Sequence, residues 1–411
     1  MSIKSIKLLH KFLKKVIIIL LRPHQVIQIF KHQLYLMSAI KLPIIDSSNL
    51  GKIVKTIKEE TIEKVFFPKV FGLALGGQID FRSPKLDLIK YKNATVFQSS
   101  DFILVQDGAV WEKFHKPQFT KIVPLDKDLL KVENNLIYIK KPSQSVNVKI
   151  GYSLCGVHSK VWSHFLVQYL PKLYLIRDLR NTIDQNMTII LPKYTDPQIR
   201  EIVYTYLNNS EGLEIMELQD NEVAICDSLF HIGNTAYISD HASYISPADF
   251  IIPKFVAQSL KNNLLSDSSL IYNDVADLKD KKLKLYIGRN GYRNVLNSTE
   301  IEAFFKAKGF DFVFPHTLTL KEKIKLFRRA EIVVGPGSSG FTNLLFSKPN
   351  TKVLVFFNFS RCFEPYLGFL SEYFGIDFTV ITGFDDPSAG IHNSYRIPLA
   401  KIMSACDHLG I

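Results

Sequence analysis

Cysteine, tryptophan and long apolar runs are all scarce in this chain of 411 residues. Its four cysteines stand far apart without a C-x-x-C pair, which fits neither a zinc cage nor a disulfide framework: they are Cys155, Cys226, Cys362 and Cys406. We therefore expect a reducing, cytoplasmic compartment. The longest apolar run, residues 16–21, is too short for a membrane span of about 20 residues or for the core of an export signal.

The overall composition is that of an ordinary globular protein. Hydrophobic residues make up 46% of the chain, and the numbers of Gly (20) and Pro (18) are unexceptional. Disordered and collagen-like classes are therefore excluded. At roughly 150 residues per domain, the length predicts two domains, each able to bury a core.

Positive charge is concentrated at the start of the chain. Lysine and arginine exceed aspartate and glutamate by 12, and eight basic residues precede the first acidic one, Asp46. At about 100° per residue, the helix predicted over Ile3–Leu21 and the adjoining Arg22 place six apolar and six basic residues on opposite helical faces. The apolar face carries Ile6, Leu9, Leu13, Val16, Ile17 and Leu20, and the basic face carries Lys4, Lys7, Lys11, Lys14, Lys15 and Arg22.

Such a basic amphipathic helix is expected to lie on an anionic membrane surface, because apolar burial and attraction to lipid head groups add together. Packing of this helix against the rest of the protein is the alternative. A nucleic-acid-binding arm is disfavoured, since no recognised nucleic-acid module accompanies it. We expect a cytoplasmic protein held peripherally at the inner face of the cell membrane, with no nucleic-acid partner.

The first half of the chain predicts a β-rich start followed by helices. Short β-prone runs alternate with polar turns up to residue 141, and helical spacing begins at Val161 with a kink expected at Pro171. Asp196 is placed to cap a helix that begins at Pro197. The further elements predicted here are strands Ala94–Phe97, Phe102–Val105, Leu136–Ile139 and Met187–Leu191, a helix over 247–265 and an interdomain linker over 262–280.

Strands and helices alternate strictly beyond residue 281, which predicts a parallel, doubly wound sheet. Asn297 with Glu300, and Thr319 with Glu322, have the spacing of helix-capping boxes. The predicted strands are Leu283–Ile287, Phe310–Phe314, Glu331–Val334 and Lys352–Phe357, and a third helix is predicted over Gly340–Phe346.

A glycine-rich loop follows the third of these strands. Its sequence, GPGSSG over residues 335–340, satisfies G-x-G-x-x-G between a predicted strand and a predicted helix. Glycines allow close approach of the backbone to an anion, and the Ser338 and Ser339 hydroxyls with the N–H groups of the helix start favour phosphate. A tight turn that merely packs is the alternative.

Several phosphate-binding classes are disfavoured by what surrounds this loop. The next strand ends at Asn358 without the acidic residue of an NAD site, and Phe341 stands where a P-loop has lysine. Neither loop serine has the flanking glycines of a hydrolase nucleophile elbow. Arg289 and Arg293 follow the first strand, at the sheet edge where open α/β sheets bind ligands, so two guanidinium groups are available for a diphosphate unless they lie in a solvated loop.

Four segments resemble glycosyltransferase family 61, with order and spacing preserved. In chain order they are VWSHFLVQYLPKL (161–173), IGRNGYRNVLN (287–297), residues 320–330 and IVVGPGSSGFTNLLF (332–346). The first of them is similar to the family signature N-Y-[YF]-H-W-x-x-E-x-L-P-R-L. The likeness spans about residues 151–357. The chain departs from the family pattern at Gly337, where the family loop has histidine, and at Gln168, where the signature has an acidic residue.

The resemblance implies an inverting glycosyltransferase with two Rossmann-like domains facing a cleft (the B-type fold), preceded here by the basic helix. It implies a nucleotide-sugar donor, with a UDP-sugar favoured, no metal and no separate cofactor, and a glycan or lipid-linked acceptor in bacterial surface polysaccharide (capsule) assembly. The predicted organisation is a basic helical segment over 1–45, an acceptor-side domain over 46–265, a donor-binding domain over 281–385 and a C-terminal tail or helix over 386–411.

The residues carried over by position are a donor-binding set and a candidate base. Donor binding is predicted for Arg289, Arg293, Asn297, Gly335, Gly337, Ser338, Ser339, Gly340, Thr342 and Asn343. Inversion needs a base for the acceptor proton, for which we predict His164 and Asp240, with His158 and His241 also available. A satisfied core histidine is the alternative for His164, and metal binding by Asp126 and Asp128 is disfavoured because they lie outside the matched segments.

Two other functions stay open at this point. A noncatalytic nucleotide- or glycan-binding protein on the same fold is suggested by the departures at Gly337 and Gln168. A nicotinamide-dependent oxidoreductase would depend on the glycine pattern alone.

Overall fold

The computed structural model describes most of the chain after residue 38. The described residues are 39–45, 51–73, 77–83, 85–106, 108–111, 128–183, 186–194, 196–208, 210–238, 250–266, 282–289, 293–359, 365–384 and 393–411. The predicted basic helix Ile3–Leu21 lies outside them, and so do Asp126, Asp240 and His241. Within the described part, no helix is long and apolar enough to cross a membrane.

The strands of the structure, in chain order, are β1 (Ile40–Ile45), β2 (Lys52–Lys58), β3 (Thr61–Phe67), β4 (Lys69–Val70), β5 (Gly77–Ser83), β6 (Leu86–Phe97), β7 (Phe102–Val105), β8 (Gly108–Trp111), β9 (Leu129–Glu133), β10 (Leu136–Ile139), β11 (Gln144–Ser153), β12 (Met187–Pro192), β13 (Leu213–Leu218), β14 (Glu222–Ile232), β15 (Tyr237–Ile238), β16 (Phe250–Ile251), β17 (Leu283–Ile287), β18 (Asp311–Val313), β19 (Ala330–Pro336), β20 (Lys352–Asn358) and β21 (Asp377–Gly383).

The helices are α1 (Trp162–His164), α2 (Leu170–Asp178), α3 (Arg180–Ile183), α4 (Pro197–Asn208), α5 (Lys254–Asn262), α6 (Ser298–Ala307), α7 (Leu320–Arg329), α8 (Pro365–Phe374) and α9 (Leu399–Leu409). A π-helical turn, Phe165–Tyr169, joins α1 to α2, and 3₁₀ turns occupy Pro315–Thr317 and Ser339–Phe346.

The first half of the chain builds a mixed sheet of eleven strands in the order β13-β12-β11-β14-β6-β7-β8-β1-β10-β9, with β2 also paired to β6. Strands β13, β12, β11 and β14 run parallel, and β14 then pairs antiparallel with β6. Because β11 and β14 are parallel neighbours, the segments that follow them emerge at the same edge of the sheet. This edge carries the predicted histidine motif.

The second half builds a six-stranded parallel sheet in the order β18-β17-β19-β20-β21-β4. Counted from β17, its strands follow the doubly wound order 2-1-3-4-5, whose ligand crevice lies between the first and third strands. Here those strands are β17 and β19. The parallel sheet predicted from the sequence is confirmed, and β4, from the first half of the chain, adds its last edge strand.

Helices cover both faces of the parallel sheet because alternate strand residues point to opposite sides. On one face, Tyr286 and Leu354 pack with Phe305 of α6 and Ile402 of α9. On the other face, the sheet packs against α7, α8 and the 3₁₀ turn, and the same apolar cluster continues into α2, α4 and α5. One continuous core therefore joins the helices of the first half to the second sheet.

Most of the predicted elements are confirmed. Thr319 closes a full capping box at the start of α7, with its hydroxyl accepting from the Glu322 N–H and its N–H donating to the Glu322 carboxylate. The carboxylate of Asp196 accepts from the N–H groups of Gln198 and Ile199, which caps α4 as expected.

Four expectations are corrected. The predicted helix over 247–265 is shorter, with α5 ending at Asn262, and residues 247–249 lie outside the described part. Residues 40–45, placed in a helical segment by the sequence, form strand β1 because they pair with β10 and β8. The helix after the glycine loop is a 3₁₀ helix that begins at Ser339.

The fourth correction concerns Asn297, which is the N-cap residue of α6 but makes no capping hydrogen bond with its side chain. Its amide nitrogen donates to the Ile397 carbonyl at 2.8 Å and to Glu300 Oε2 at 3.1 Å, and its Oδ1 accepts from the Ile397 N–H at 3.2 Å. The predicted capping box at Asn297 is wrong because a distant backbone segment competes for the same side chain.

Candidate active site

The glycine loop begins where β19 approaches β17 most closely. Gly335 has φ +145°, and a Cβ placed on it would lie 2.5 Å from the carbonyl oxygen of Ile287. A Cβ on Gly337 would overlap the ring of Phe357, and the Gly337 N–H donates to the Phe356 carbonyl at 2.8 Å. Strand packing therefore requires glycine at both positions, and the loop backbone lies at the crevice between β17 and β19.

The loop continues into the first turn of the 3₁₀ helix. The Ser338 hydroxyl accepts from the Gly340 N–H at 3.3 Å, and Ser339 is exposed. Thr342 and Asn343 are buried in the turn that follows, with exposed fractions of 1% and 0%. Within the loop and the 3₁₀ turn, the accessible polar groups among those predicted to bind the donor are therefore the two serines and the surrounding backbone.

Arg289 extends from the carboxyl end of β17 toward this loop. Its Nη1 donates to the Gly337 carbonyl at 2.5 Å, so the guanidinium bridges the two strand ends that form the crevice. Arg293 adopts a left-handed backbone conformation with φ +60° four residues later. Positive charge therefore lies at the switch point of the doubly wound sheet, where ligands of this architecture bind.

The structure places the predicted base, His164, at the end of α1, where its imidazole is half-buried. Gln168 donates from Nε2 to the Ala236 carbonyl at 3.1 Å, and its Oε1 lies 2.8 Å from His164 Nδ1. Since the amide nitrogen must face the carbonyl, the amide oxygen faces the imidazole and accepts a hydrogen bond from the Nδ1–H group. The neutral ring therefore carries its lone pair on Nε2.

His158 stacks on His164, with ring centroids 4.1 Å apart and an interplanar angle of 28°. Burial, followed by the neighbouring His158, lowers the pKa of His164 to about 3. The ring is consequently neutral at physiological pH. Asp101 holds the turn that carries His158 in place, because its carboxylate accepts hydrogen bonds from the Tyr169 hydroxyl and from the Val157 N–H, both at 3.2 Å.

The histidine helix touches the glycine-loop helix directly. Trp162 Nε1 donates to Asn343 Oδ1 at 3.1 Å, and Asn343 Nδ2 donates to the Gly340 carbonyl at 2.8 Å. Trp162 is two residues from His164, so a buried hydrogen bond links the predicted base segment to the predicted phosphate loop. The structure therefore brings together two motifs about 180 residues apart in the sequence.

Lys323, on the inner face of α7, covers the Trp162 ring. Its ammonium lies 4.3 Å from the ring centroid and donates to Gln198 Oε1 at 2.9 Å. The side chain is 2% exposed, and burial lowers its pKa to about 8. The contacts among Trp162, Gln198 and Lys323 were not predicted from the sequence. The available signal in the sequence was that Lys323 occupies an apolar position of an amphipathic helix.

The remaining candidates lie apart from this junction. The side chain of Asn297 is bonded to Ile397, as described above. Asp128 accepts from the Ser100 hydroxyl at 2.8 Å and lines a cavity of about 480 Å³ with residues 97–99, 140–143 and 220–223. Among the described residues, no group of three or more His, Cys, Asp or Glu side chains is arranged to hold a metal ion.

The fold and the candidate site together describe an α/β protein with a phosphate-compatible crevice beside a histidine segment. Comparison with known families specifies this class further. Residues 162–354, which are 193 of the 411 residues, match the family described as Glycosyltransferase 61. This match confirms the resemblance found in the sequence and supports a glycosyltransferase. No curated protein matches the chain.

Proposed function

We propose that the protein is a glycosyltransferase that binds a nucleotide-sugar, with a UDP-sugar favoured, in the crevice between β17 and β19 and transfers the sugar with inversion. Arg289 and the N–H groups and hydroxyls of Ser338 and Ser339 are the groups suited to the diphosphate. They would stabilise the negative charge that develops as the bond between the anomeric carbon and the diphosphate breaks. A glycosyltransferase acts on a sugar donor and an acceptor glycan.

The acceptor side of the reaction is assigned to the histidine segment. An acceptor hydroxyl attacks the anomeric carbon, its proton passes to a base, and the electron pair of the broken bond leaves with the nucleoside diphosphate. His164 is suited to this because Gln168 holds the neutral ring with Nε2 as the proton acceptor. Its low pKa makes it a weak base, which suffices when the attacking hydroxyl becomes strongly acidic late in bond formation.

The observation that carries the proposal is the hydrogen bond from Trp162 to Asn343. It supports a single site, because it holds the helix of the predicted base against the loop predicted to bind the donor. The proposed organisation, two Rossmann-like domains with a cleft between them, is supported by the doubly wound order of the second sheet and by the four parallel strands of the first.

The test is donor turnover by the purified full chain. UDP-sugars are supplied in turn without an acceptor, and release of UDP and the configuration of the liberated sugar are followed by NMR. Slow hydrolysis with initial inversion, reduced at least tenfold in His164→Ala, supports the proposal. Retention of configuration, or equal turnover in His164→Ala, contradicts the assignment of mechanism and base.

A noncatalytic binding protein is the second candidate, and it is favoured by the amide at Gln168. Without a carboxylate partner, His164 keeps a pKa of about 3 and provides little driving force for proton transfer. UDP binding without turnover of any UDP-sugar would identify this case. NAD is included in the same binding panel, and stabilisation by NAD alone would favour an oxidoreductase.

For the biological setting, we propose surface polysaccharide assembly with a glycan or lipid-linked acceptor. The segment Ile3–Leu21, outside the described residues, would hold the protein to the cytoplasmic face of the membrane through its lysines and apolar face. Co-sedimentation with vesicles containing phosphatidylglycerol, and its absence with phosphatidylcholine vesicles, is the expected result. Equal recovery with both vesicle types would contradict electrostatic attachment.

A further inference from the structure

Phe314 occupies the position next to the proposed diphosphate site. It directly follows β18, which pairs with β17, and its ring contacts Gly288, the residue before Arg289. The Gly288 N–H donates to the Val313 carbonyl at 2.8 Å, which keeps the two strand ends in register. A Cβ on Gly288 would overlap the Phe314 ring, so glycine is required for the ring to lie at this place.

The segment after Phe314 also contacts the glycine loop. The position that a Cβ would take on Gly340 is 3.2 Å from Pro315 Cγ. Phe314 and Pro315 thus pack against both backbone segments of the crevice, the end of β17 and the start of the 3₁₀ helix. An occupant of the crevice that extends toward β18 would meet the Phe314 ring.

The ring of Phe314 is accessible for contact. Its exposed fraction is 36%, and His316 lies edge-on to it with the ring centroids 6.1 Å apart. Phe312, two residues earlier, has nearly the same exposed fraction, 37%, but stacks on Tyr286 with centroids 4.5 Å apart. The two phenylalanines therefore form a natural pair for comparison, since one borders the crevice and the other has a tyrosine stacked on its ring.

We propose that Phe314 is the platform on which the nucleobase of the donor stacks, while Arg289 and the loop hold the diphosphate. This inference depends on the proposed function, because it assigns a further residue to the same donor site. A planar base on a planar aromatic ring is favourable for every nucleobase. Phe314 therefore provides affinity for the nucleoside without selecting one base by hydrogen bonds.

The experiment compares two ligands that differ in the nucleoside. Binding of UDP and of inorganic pyrophosphate to the full chain is measured by calorimetry for the wild type, Phe314→Leu and Phe312→Leu. Phe314→Leu is expected to weaken UDP binding by about 5- to 150-fold, the range that base stacking contributes, and to leave pyrophosphate binding unchanged. Phe314→Tyr is expected to bind UDP as tightly as the wild type. Phe312→Leu is expected to leave the affinities for both UDP and pyrophosphate unchanged.

The outcomes separate this inference from the proposed function. If the wild type binds neither ligand, the donor site itself is wrong. If UDP binds the wild type and Phe314→Leu equally well, the donor site stands and the platform is wrong. A selective loss of UDP in Phe359→Leu, whose ring is 56% exposed after β20, would overturn the platform and place the base on the opposite side of the crevice.

A second variant tests the same idea without altering the aromatic ring. Gly288→Ala introduces a methyl group into the space that the Phe314 ring occupies, so the ring must move. We expect the same selective loss of UDP binding, with the thermal unfolding transition retained as the control for folding. Unchanged UDP binding in a folded Gly288→Ala variant would contradict the proposal.

Discussion

The indole nitrogen of Trp162 donates a buried hydrogen bond to Asn343 across 181 positions of the sequence. This contact fixes the relation between the helix that carries His164 and the loop that follows β19. Because both partners are buried, breaking the bond leaves a polar atom without a partner in an apolar environment. The pair is therefore a structural element of the candidate site as well as a source of stability.

Trp162→Phe keeps an aromatic ring beneath Lys323 and removes the indole donor together with part of the ring volume. We expect the free energy of unfolding to fall by about 1–3 kcal/mol, because Asn343 Oδ1 loses its indole donor. Chemical denaturation monitored by circular dichroism measures the change. Asn343→Ala serves as the partner variant, and effects that add fully in the double variant would contradict a direct interaction.

Gln168→Glu is expected to raise the pKa of His164. A carboxylate in place of the amide oxygen, 2.8 Å from Nδ1, would stabilise the imidazolium and shift its pKa upward by roughly 1–3. The titration is followed by NMR of the imidazole protons. Gln98→Glu is the matched control, because Gln98 likewise donates to a backbone carbonyl, that of Leu218, at 2.9 Å. A His164 pKa that rises equally in both variants would contradict the hydrogen-bond assignment.

His164 makes the fold sensitive to acid. Its pKa is about 3 in the folded protein and near 6.5 in the unfolded chain, so the unfolded chain binds the proton more readily. Stability from this group is fully present above pH 6.5 and is lost as the pH falls toward 3. His164→Asn keeps a donor for Gln168 and removes the titration.

Urea unfolding at pH 7 and pH 5 tests this acid sensitivity. The wild type should lose more stability than His164→Asn between the two pH values, by up to about 1.4 kcal/mol per pH unit. An identical loss in wild type and variant would show that His164 titrates normally.

Gly335→Ala tests the close approach of β19 and β17. The substitution places a methyl group 2.5 Å from the Ile287 carbonyl oxygen at a φ of +145°, so backbone strain and overlap add together. We expect a loss of more than about 3 kcal/mol. Gly309→Ala is the control, since φ is +77° there with nothing within 4 Å of the added Cβ, and it should cost about 1–2 kcal/mol. Equal costs would contradict the steric argument.

The sequence was sufficient to predict four of the six strands of the second sheet, β17 to β20, whereas β21 and the added edge strand β4 were not predicted. The predicted strands are short apolar runs separated by helices with local start signals, and the Thr319 capping box forms within four residues of the chain. Such features depend on neighbours in sequence, so a single chain reveals them. The glycine loop was found for the same reason, because its spacing and its flanking elements are local.

Contacts between distant segments were not predictable in this way. Asn297 has the sequence of a helix cap, yet its amide pairs with Ile397, one hundred residues later. The pairing of Trp162 with Asn343 and of Lys323 with Gln198 likewise depends on the fold. The mixed first sheet is a further case, since β14 joins β11 in parallel and β6 antiparallel and no local pattern specifies either neighbour.

The central claim is that the crevice between β17 and β19 binds a nucleoside diphosphate, and thermal unfolding with UDP tests it most directly. Arg289→Gln removes the guanidinium charge and keeps an N–H donor for the Gly337 carbonyl. The account predicts that UDP at a hundred times its Kd stabilises the wild type by about 2.7 kcal/mol and raises its Tm, with little or no rise in Arg289→Gln. An equal rise in both proteins, or none in the wild type, would contradict it.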